Sequence, residues 1–174
     1  LLPGCGTVLL MATTNKITQH VSVVPFLWVV PLGLYLLTFI LTFDSPRWYS
    51  RRWYTAALLS CWVAVWWVLD KGVEAPISVQ LVIYSATLFV TCMICHGEVY
   101  RLRPAPRRLT AYYLTISAGG AVGGVFVALG APLIFDSYSE FHWGLWASGV
   151  LLVSVCFRDR SVWAVGRWWG PSWV

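Results

Sequence analysis

Two cysteines and a histidine lie close together in an apolar stretch of the chain, as Cys92-Met93-Ile94-Cys95-His96. This spacing matches the C-x-x-C-H pattern of covalent haem attachment, in which both thiols bond to the porphyrin. Zinc also binds such groups but needs a third and a fourth ligand, and Cys5, Cys61 and Cys156 lie on other apolar stretches. The remaining alternative is a pair of free thiols packed in a helix whose last carbonyl groups are capped by His96.

The elements that position these residues follow from the distribution of charge. Five stretches contain no Asp, Glu, Lys or Arg: residues 21–43, 53–69, 77–95, 109–135 and 141–157. About 20 helical residues cross the hydrocarbon core of a bilayer, and tilted neighbours or local thinning accommodate the two shorter stretches. The sequence therefore predicts five transmembrane helices.

The connections between these stretches alternate in net charge. Residues 44–52 hold three arginines and one acid, a net charge of +2, whereas residues 70–75 hold two acids and one lysine, a net charge of −1. The same count gives +3 for 97–108, −2 for 136–140 and +2 for 158–174. Because Lys and Arg are retained on the cytoplasmic side during insertion, the positive connections and the C-terminus are predicted to be cytoplasmic.

The first twelve residues form a sixth apolar stretch, which is too short to span a bilayer. We expect it to belong to a helix of a longer protein, with residues 13–20 as a polar connection into the first span. The predicted fold is therefore all-α, an integral membrane bundle of five transmembrane helices plus a partial N-terminal helix. One transmembrane domain covers residues 1–157, and residues 158–174 form a basic, Trp-rich tail on the membrane surface.

The composition argues against a soluble protein. Hydrophobic residues make up 59% of the chain and charged residues 11%, whereas soluble proteins average about 25% charged residues. The net charge of +5 does not indicate nucleic acid, because the arginines adjoin the ends of the apolar stretches, where anionic lipid headgroups lie. Membrane lipids and other membrane subunits are the expected partners.

The stretch 109–135 carries a signal for close helix packing. It contains two overlapping G-x-x-x-G pairs, Gly119 with Gly123 and Gly120 with Gly124. Small residues let two backbones approach closely in lipid. The partner of this glycine face is open between another helix of the chain and a second protein.

The charge pattern also argues against haem at Cys92, Cys95 and His96. Haem is attached on the outer side of the membrane, whereas the basic connection 97–108 places His96 on the cytoplasmic side. Chlorophyll ligation is a weak alternative as well, because His20, His96 and His142 all lie near predicted span ends. We therefore expect no metal and no cofactor.

Several segments carry a family resemblance: Ala12-Thr13-Thr14-Asn15-Lys16-Ile17-Thr18-Gln19, Val24-Pro25-Phe26-Leu27-Trp28, Cys95-His96-Gly97-Glu98, Arg101-Leu102-Arg103-Pro104-Ala105-Pro106 and Gly119-Gly120-Ala121-Val122-Gly123-Gly124. They resemble the membrane portion of bacterial spermidine-synthase-like proteins, over about residues 1–157. In that family a multi-span region of major-facilitator character precedes an aminopropyltransferase-like domain. The resemblance implies a multi-pass protein of the bacterial inner membrane.

The catalytic half of that family has no counterpart in this sequence. No Gly-rich turn follows a strand, and Gly4-Cys5-Gly6 is a lone G-x-G inside an apolar run. We therefore expect that the chain is not an enzyme.

Transport of polyamines or related small molecules is the alternative that the resemblance implies. A polycation needs carboxylates along its path, because a charge is costly in hydrocarbon, but every acid lies in a connection or at a span end. The polar candidates for a site lie at the two membrane faces: Asn15, Gln19 and His20 outside, and His96, Glu98, Arg103 and Arg107 inside. The sequence favours a structural or accessory subunit of a larger membrane complex, of respiratory or photosynthetic type.

Overall fold

The structure is a computed structural model that describes residues 1–20, 27–130 and Val150. Five α-helices follow one another in this part of the chain: α1 (Leu2–His20), α2 (Val29–Asp44), α3 (Arg51–Lys71), α4 (Ile77–Arg101) and α5 (Leu109–Val125). Short 3₁₀ turns form at Pro46–Trp48, Gly72–Glu74 and Pro106–Arg108, and a π-helical turn at Phe126–Gly130 extends α5. The described residues form no strand, so the all-α prediction is confirmed for them.

Three helical segments are long and apolar enough to cross a membrane, namely Arg51–Lys71, Ile77–Arg101 and Pro106–Gly130. They contain most or all of the predicted spans 53–69, 77–95 and 109–135. The helix α2 is apolar but shorter. These lengths and compositions are those of a membrane protein.

The other predicted segments are described only in part. The first predicted span, 21–43, coincides with α2 from Val29 onwards, and residues 21–26 lie outside the described residues. The fifth predicted span, 141–157, and the tail, 158–174, also lie outside them, apart from Val150. The five-span bundle therefore stays a prediction.

The helix α1 is longer than expected, because it continues through the predicted polar connection 13–20. The hydroxyl groups of Thr14 and Thr18 each donate to the carbonyl oxygen four residues earlier, at 2.7 and 2.9 Å, so they need no water. Thr13 and Ile17 are buried on the side facing the bundle. Thr14 and Thr18 thus continue this helix with their hydrogen bonds satisfied within it, whereas the buried Thr13 hydroxyl has no hydrogen-bond partner among the described residues.

Proline positions explain the helix ends nearest the site. Ser45 is extended (φ −149°, ψ 136°) and precedes Pro46, and the residue before a proline avoids the helical conformation. The predicted third span ends at Cys95, whereas α4 continues to Arg101. No proline follows until Pro104, so the change from apolar to polar side chains does not interrupt the helix.

The helix α4 is the centre of the bundle. The helices α1, α2 and α3 pack against it, and α5 packs against α1. Of the most apolar part of α4, 44% is buried inside the structure, against 17% in α3 and 11% in the segment containing α5. Residues 91–99 are buried without interruption, so this end of α4 is enclosed on every side.

The glycine face of α5 meets α1. A Cβ atom built on Gly123 would lie 2.5 Å from the carbonyl oxygen and 2.9 Å from the Cα atom of Gly4. Gly119 lies beside Pro3 and Gly4, whereas the nearest atom to a Cβ on Gly120 would be the Thr7 hydroxyl, at 3.4 Å. The described structure therefore gives this face a partner within the chain, with the closest backbone approach between Gly4 and Gly123.

The close approach predicts a position-dependent cost of adding one methyl group. Gly123→Ala would force the backbones of α1 and α5 apart, and we expect a loss of about 2 kcal/mol in unfolding free energy. Gly33→Ala is the matched control, because nothing lies within 4 Å of a Cβ at Gly33. That control should gain up to about 1 kcal/mol from helix propensity. Thermal unfolding in mild detergent compares the two, and equal effects would contradict the contact.

Candidate functional site

Four consecutive residues near the end of α4, Cys95-His96-Gly97-Glu98, contact different parts of the chain. All four are buried. Their side chains and the space at Gly97 connect α4 with α1, α2 and the connection between α2 and α3. This run is therefore the candidate site around which the other predicted residues are placed.

His96 lies deep in the bundle, with only 2% of its surface exposed. Its ring meets the rings of Tyr35 and Phe39 on α2 edge to face, at centroid distances of 4.9 and 5.1 Å. A Cβ built on Gly6 of α1 would lie 3.6 Å from its Nε2 atom. The expectation that His96 caps the carbonyl groups of its own helix is wrong, because α4 continues beyond it and the ring points between α1 and α2.

A hydrogen bond between helices fixes the proton on the His96 ring. The hydroxyl of Thr38 donates to the carbonyl oxygen of Tyr35 at 2.7 Å, and its oxygen lies 3.1 Å from Nδ1 of His96. A hydroxyl has one hydrogen, so with that hydrogen on the Tyr35 carbonyl we expect Thr38 to accept from Nδ1–H of His96. In the neutral ring with its proton on Nδ1, Nε2 is unprotonated, and it has no hydrogen-bond partner among the described residues.

The thiols of the motif are enclosed in the same region. Cys92 and Cys95 are 0% and 3% exposed, and Cys5 of α1, 6% exposed, belongs to the same buried cluster. Cys61 is half-buried on α3, and all four thiols are free. Cys156 lies outside the described residues. Cys5, Cys92 and Cys95 pack among apolar residues such as Leu9 and Leu88, which is the behaviour of small hydrophobic side chains.

This enclosure does not fit a covalently attached haem. A porphyrin must reach both cysteines and the imidazole from one surface, whereas Cys92, Cys95 and His96 are covered by neighbouring helices. Within residues 1–20 and 27–130, no group of three or more His, Cys, Asp or Glu side chains is arranged to hold a metal ion. His142, the third candidate for pigment ligation, lies outside the described residues.

Gly97 makes room for an aromatic ring from the connection between α2 and α3. A Cβ atom on Gly97 would overlap the ring of Tyr49. The hydroxyl of Tyr49 reaches past this glycine and donates to Oε1 of Glu98 at 2.8 Å. Burial, followed by the adjacent Glu98 carboxylate, raises the pKa of Tyr49. Tyr49 therefore keeps its proton and acts as a donor.

Glu98 is held by two arginines in addition to Tyr49. Nε of Arg51 lies 3.0 Å from Oε1 and its Nη2 donates to Oε2 at 3.1 Å, so the guanidinium binds both carboxylate oxygens. Nη1 of Arg101 donates to Oε1 at 3.4 Å. The Glu98 side chain is 7% exposed and that of Arg51 is 12% exposed. The carboxylate thus attaches the start of α3 to the end of α4.

Three further predicted polar residues, Asn15, Arg103 and Arg107, lie outside this cluster. Arg103 and Arg107 are exposed on the connection after α4, and the Arg103 guanidinium lies 4.9 Å from the centre of the Tyr100 ring. Asn15 is exposed on α1, ten residues beyond Cys5 and so about 15 Å further along that helix. Gln19 and His20 end α1, and their side chains lie outside the described part of the structure.

The residues that complete the site escaped the sequence analysis. Nothing in the local sequence distinguishes Thr38, Tyr49 or Arg51 from other residues at the ends or on the faces of apolar helices. Gly6 is part of a G-x-G that was considered only as a nucleotide-binding motif and was set aside for lack of a preceding strand. One signal was available in the sequence. Glu98 is the single acid of the basic connection 97–108, and the connection 44–52, which is predicted on the same side of the membrane, is also basic. As a whole, the arrangement attaches helices to one another and presents none of its four central residues to solvent.

The described part of the chain is all-helical and contains three helices long and apolar enough to cross a membrane. No family model, no curated protein and no solved structure matches it. The resemblance to the membrane region of spermidine-synthase-like proteins therefore stays a prediction from the sequence.

The paired carboxylate predicts a large effect of removing its charge. Glu98→Gln would leave Arg51 mostly buried without its counter-charge, so we expect a loss of about 3 kcal/mol in unfolding free energy. Glu74→Gln is the control, because Glu74 is exposed in the turn before α4 and should change stability by less than about 0.5 kcal/mol. Thermal unfolding in detergent measures both, and similar losses would show that the ion pair contributes little.

The proton on His96 gives a second prediction. Thr38→Val would leave Nδ1–H buried without an acceptor, at a cost of about 1–3 kcal/mol. Thr42→Val is the control, because Thr42 is equally buried but donates only to carbonyl oxygens of its own helix. The difference between their melting temperatures isolates the His96 contact. Imidazole ¹⁵N spectra of the wild type should report a proton on Nδ1, and a proton on Nε2 would contradict the assignment.

Proposed function

We propose that this chain is a non-catalytic integral membrane protein that packs as a structural subunit of a larger complex in the bacterial inner membrane. In this proposal the Arg-rich connections and the C-terminus face the cytoplasm. A respiratory or photosynthetic complex is the kind of assembly that uses such subunits.

The contacts of several polar groups inside the bundle support a non-catalytic role. The hydroxyls of Thr87 and Thr91 donate to carbonyl oxygens of α4 at 2.7 and 2.8 Å, which satisfies them within an apolar environment. The carboxylate of Glu98 is paired, and the imidazole of His96 is enclosed. Glu98 and His96 bind groups of neighbouring elements, and a substrate that entered would have to displace those contacts.

The open face of α5 is the observation that carries the proposal. The glycine side of this helix is covered by α1, but Ser117, Ala118 and Ala121 on another side are exposed. Leu114 and Val122, next to them, are 71% and 70% exposed. A smooth row of small residues flanked by larger apolar ones is the surface against which a further membrane helix packs closely.

The proposal predicts which surface substitution releases the partners. The native protein, purified in mild detergent, should carry other membrane subunits at a fixed ratio in intact-complex mass spectrometry. Ala121→Leu on α5 should release them without lowering the melting temperature of the chain itself. Ala56→Leu on α3 is the matched control, since Ala56 is also an exposed alanine of an apolar helix.

Two outcomes would overturn the proposal. The first is a polypeptide that purifies alone and is stabilised by spermidine or another polyamine, because ligand binding raises stability by mass action and the transporter alternative predicts this result. The second is a complex that both alanine variants leave intact, since the face of α5 would then not be the contact.

A further inference from the structure

Five arginines project from two connections of the bundle. Arg47 and Arg52 belong to the connection between α2 and α3, including the first turn of α3, and Arg103, Arg107 and Arg108 belong to the connection between α4 and α5. All five side chains are exposed. We call this set the arginine face.

Contacts between the two connections place the arginine face at one end of the bundle. Tyr49 and Arg51 of the first connection bind Glu98, which lies one turn before the start of the second. The ring of Phe43, at the end of α2, meets Tyr100 at a centroid distance of 5.5 Å. The positive charges of both connections are thereby brought onto a single surface.

The acids at this end do not neutralise that surface. Glu98, the acid buried between these connections, forms ion pairs with Arg51 and Arg101. Glu98 is therefore already used by two arginines that lie outside the arginine face. Asp44 is the other acid nearby, so the five exposed guanidinium groups carry a clear excess of positive charge.

Apolar side chains at the same end indicate the depth of this surface in a bilayer. Trp48 and Trp53 are 53% and 79% exposed, and Leu102 is 67% exposed. Tryptophan is enriched at the level of the lipid headgroups, where one part of the ring is apolar and the N–H is hydrated. The arginine face therefore lies beside headgroups rather than in bulk water.

The connection between α4 and α5 is also partly ordered in a way that favours phosphate binding. The Arg103 guanidinium is held over the Tyr100 ring at 4.9 Å, and Pro104 and Pro106 restrict the backbone on either side of Ala105. A planar guanidinium matches phosphate oxygens in pairs. Less side-chain freedom is then lost when an anion binds.

We infer that the arginine face binds the phosphate groups of anionic phospholipids, and that the five arginines with Trp48 and Trp53 form this lipid site. The inference needs the membrane location but not the role as a subunit. A chain that purifies alone and still prefers anionic lipid would support it while contradicting the proposed function.

The test compares melting temperatures of the full chain in detergent supplemented with phosphatidylglycerol or with phosphatidylcholine. The anionic lipid should raise the melting temperature of the wild type by several degrees, and high salt should reduce this shift by screening. Arg103→Gln with Arg107→Gln, and Arg47→Gln with Arg52→Gln, should each remove about two fifths of the shift, because each pair removes two of the five arginines and basic residues near an anionic surface contribute roughly equally.

The control pair is Lys16→Gln with Lys71→Gln, which removes the same charge from residues outside the arginine face and should keep the full shift. Measuring the difference between two lipids cancels any loss of stability that a variant causes by itself. Equal shifts in all variants, or no shift in the wild type, would overturn the inference. So would an equal shift produced by inorganic phosphate in phosphatidylcholine, because the ligand would then be a soluble anion.

Discussion

The charge on Glu98 is the constraint on which the arrangement of this bundle depends. A carboxylate that is 7% exposed near the end of an apolar helix is unfavourable unless opposite charge and donors surround it. Arg51, Arg101 and Tyr49 supply both. Satisfying this one group fixes the position of the connection between α2 and α3, and therefore the place where α3 begins against α4.

The three residues before Glu98 make specific contacts with the other neighbours of α4. Cys95 lies in one buried cluster with Cys5 of α1, His96 bonds to Thr38 of α2, and Gly97 leaves space for the ring of Tyr49. Four adjacent positions thus hold three neighbours of α4. Helices in lipid gain little from burying apolar surface against one another, so a short run of specific polar and small contacts determines which surfaces meet.

The part of this fold that the sequence predicts is the part set by hydrophobicity. Charge-free runs indicate where α3, α4 and the α5 segment lie, because the cost of charge in hydrocarbon acts on each residue separately. Hydrogen bonds are harder to predict from the sequence than apolar spans. The helix α1 continues through Thr14 and Thr18 because their hydroxyls donate to carbonyl oxygens of the same helix. The partners of His96 and Glu98 depend on which helices become neighbours, and no residue pattern within one helix specifies that. Gly4 was missed for the same reason, since its significance comes from Gly123.

The pairing of Arg51 with Glu98 also has a consequence for the synthesis and membrane insertion of the protein. The ribosome makes Arg51 forty-seven positions before Glu98, so in the proposed orientation we expect α3 to insert before the carboxylate that pairs with this arginine has been made. A free positive charge beside a helix end retains that end on one side of the membrane. The later arrival of α4 neutralises it. In that orientation the Arg51 guanidinium would first help to orient α3 during synthesis and would afterwards hold α3 against α4.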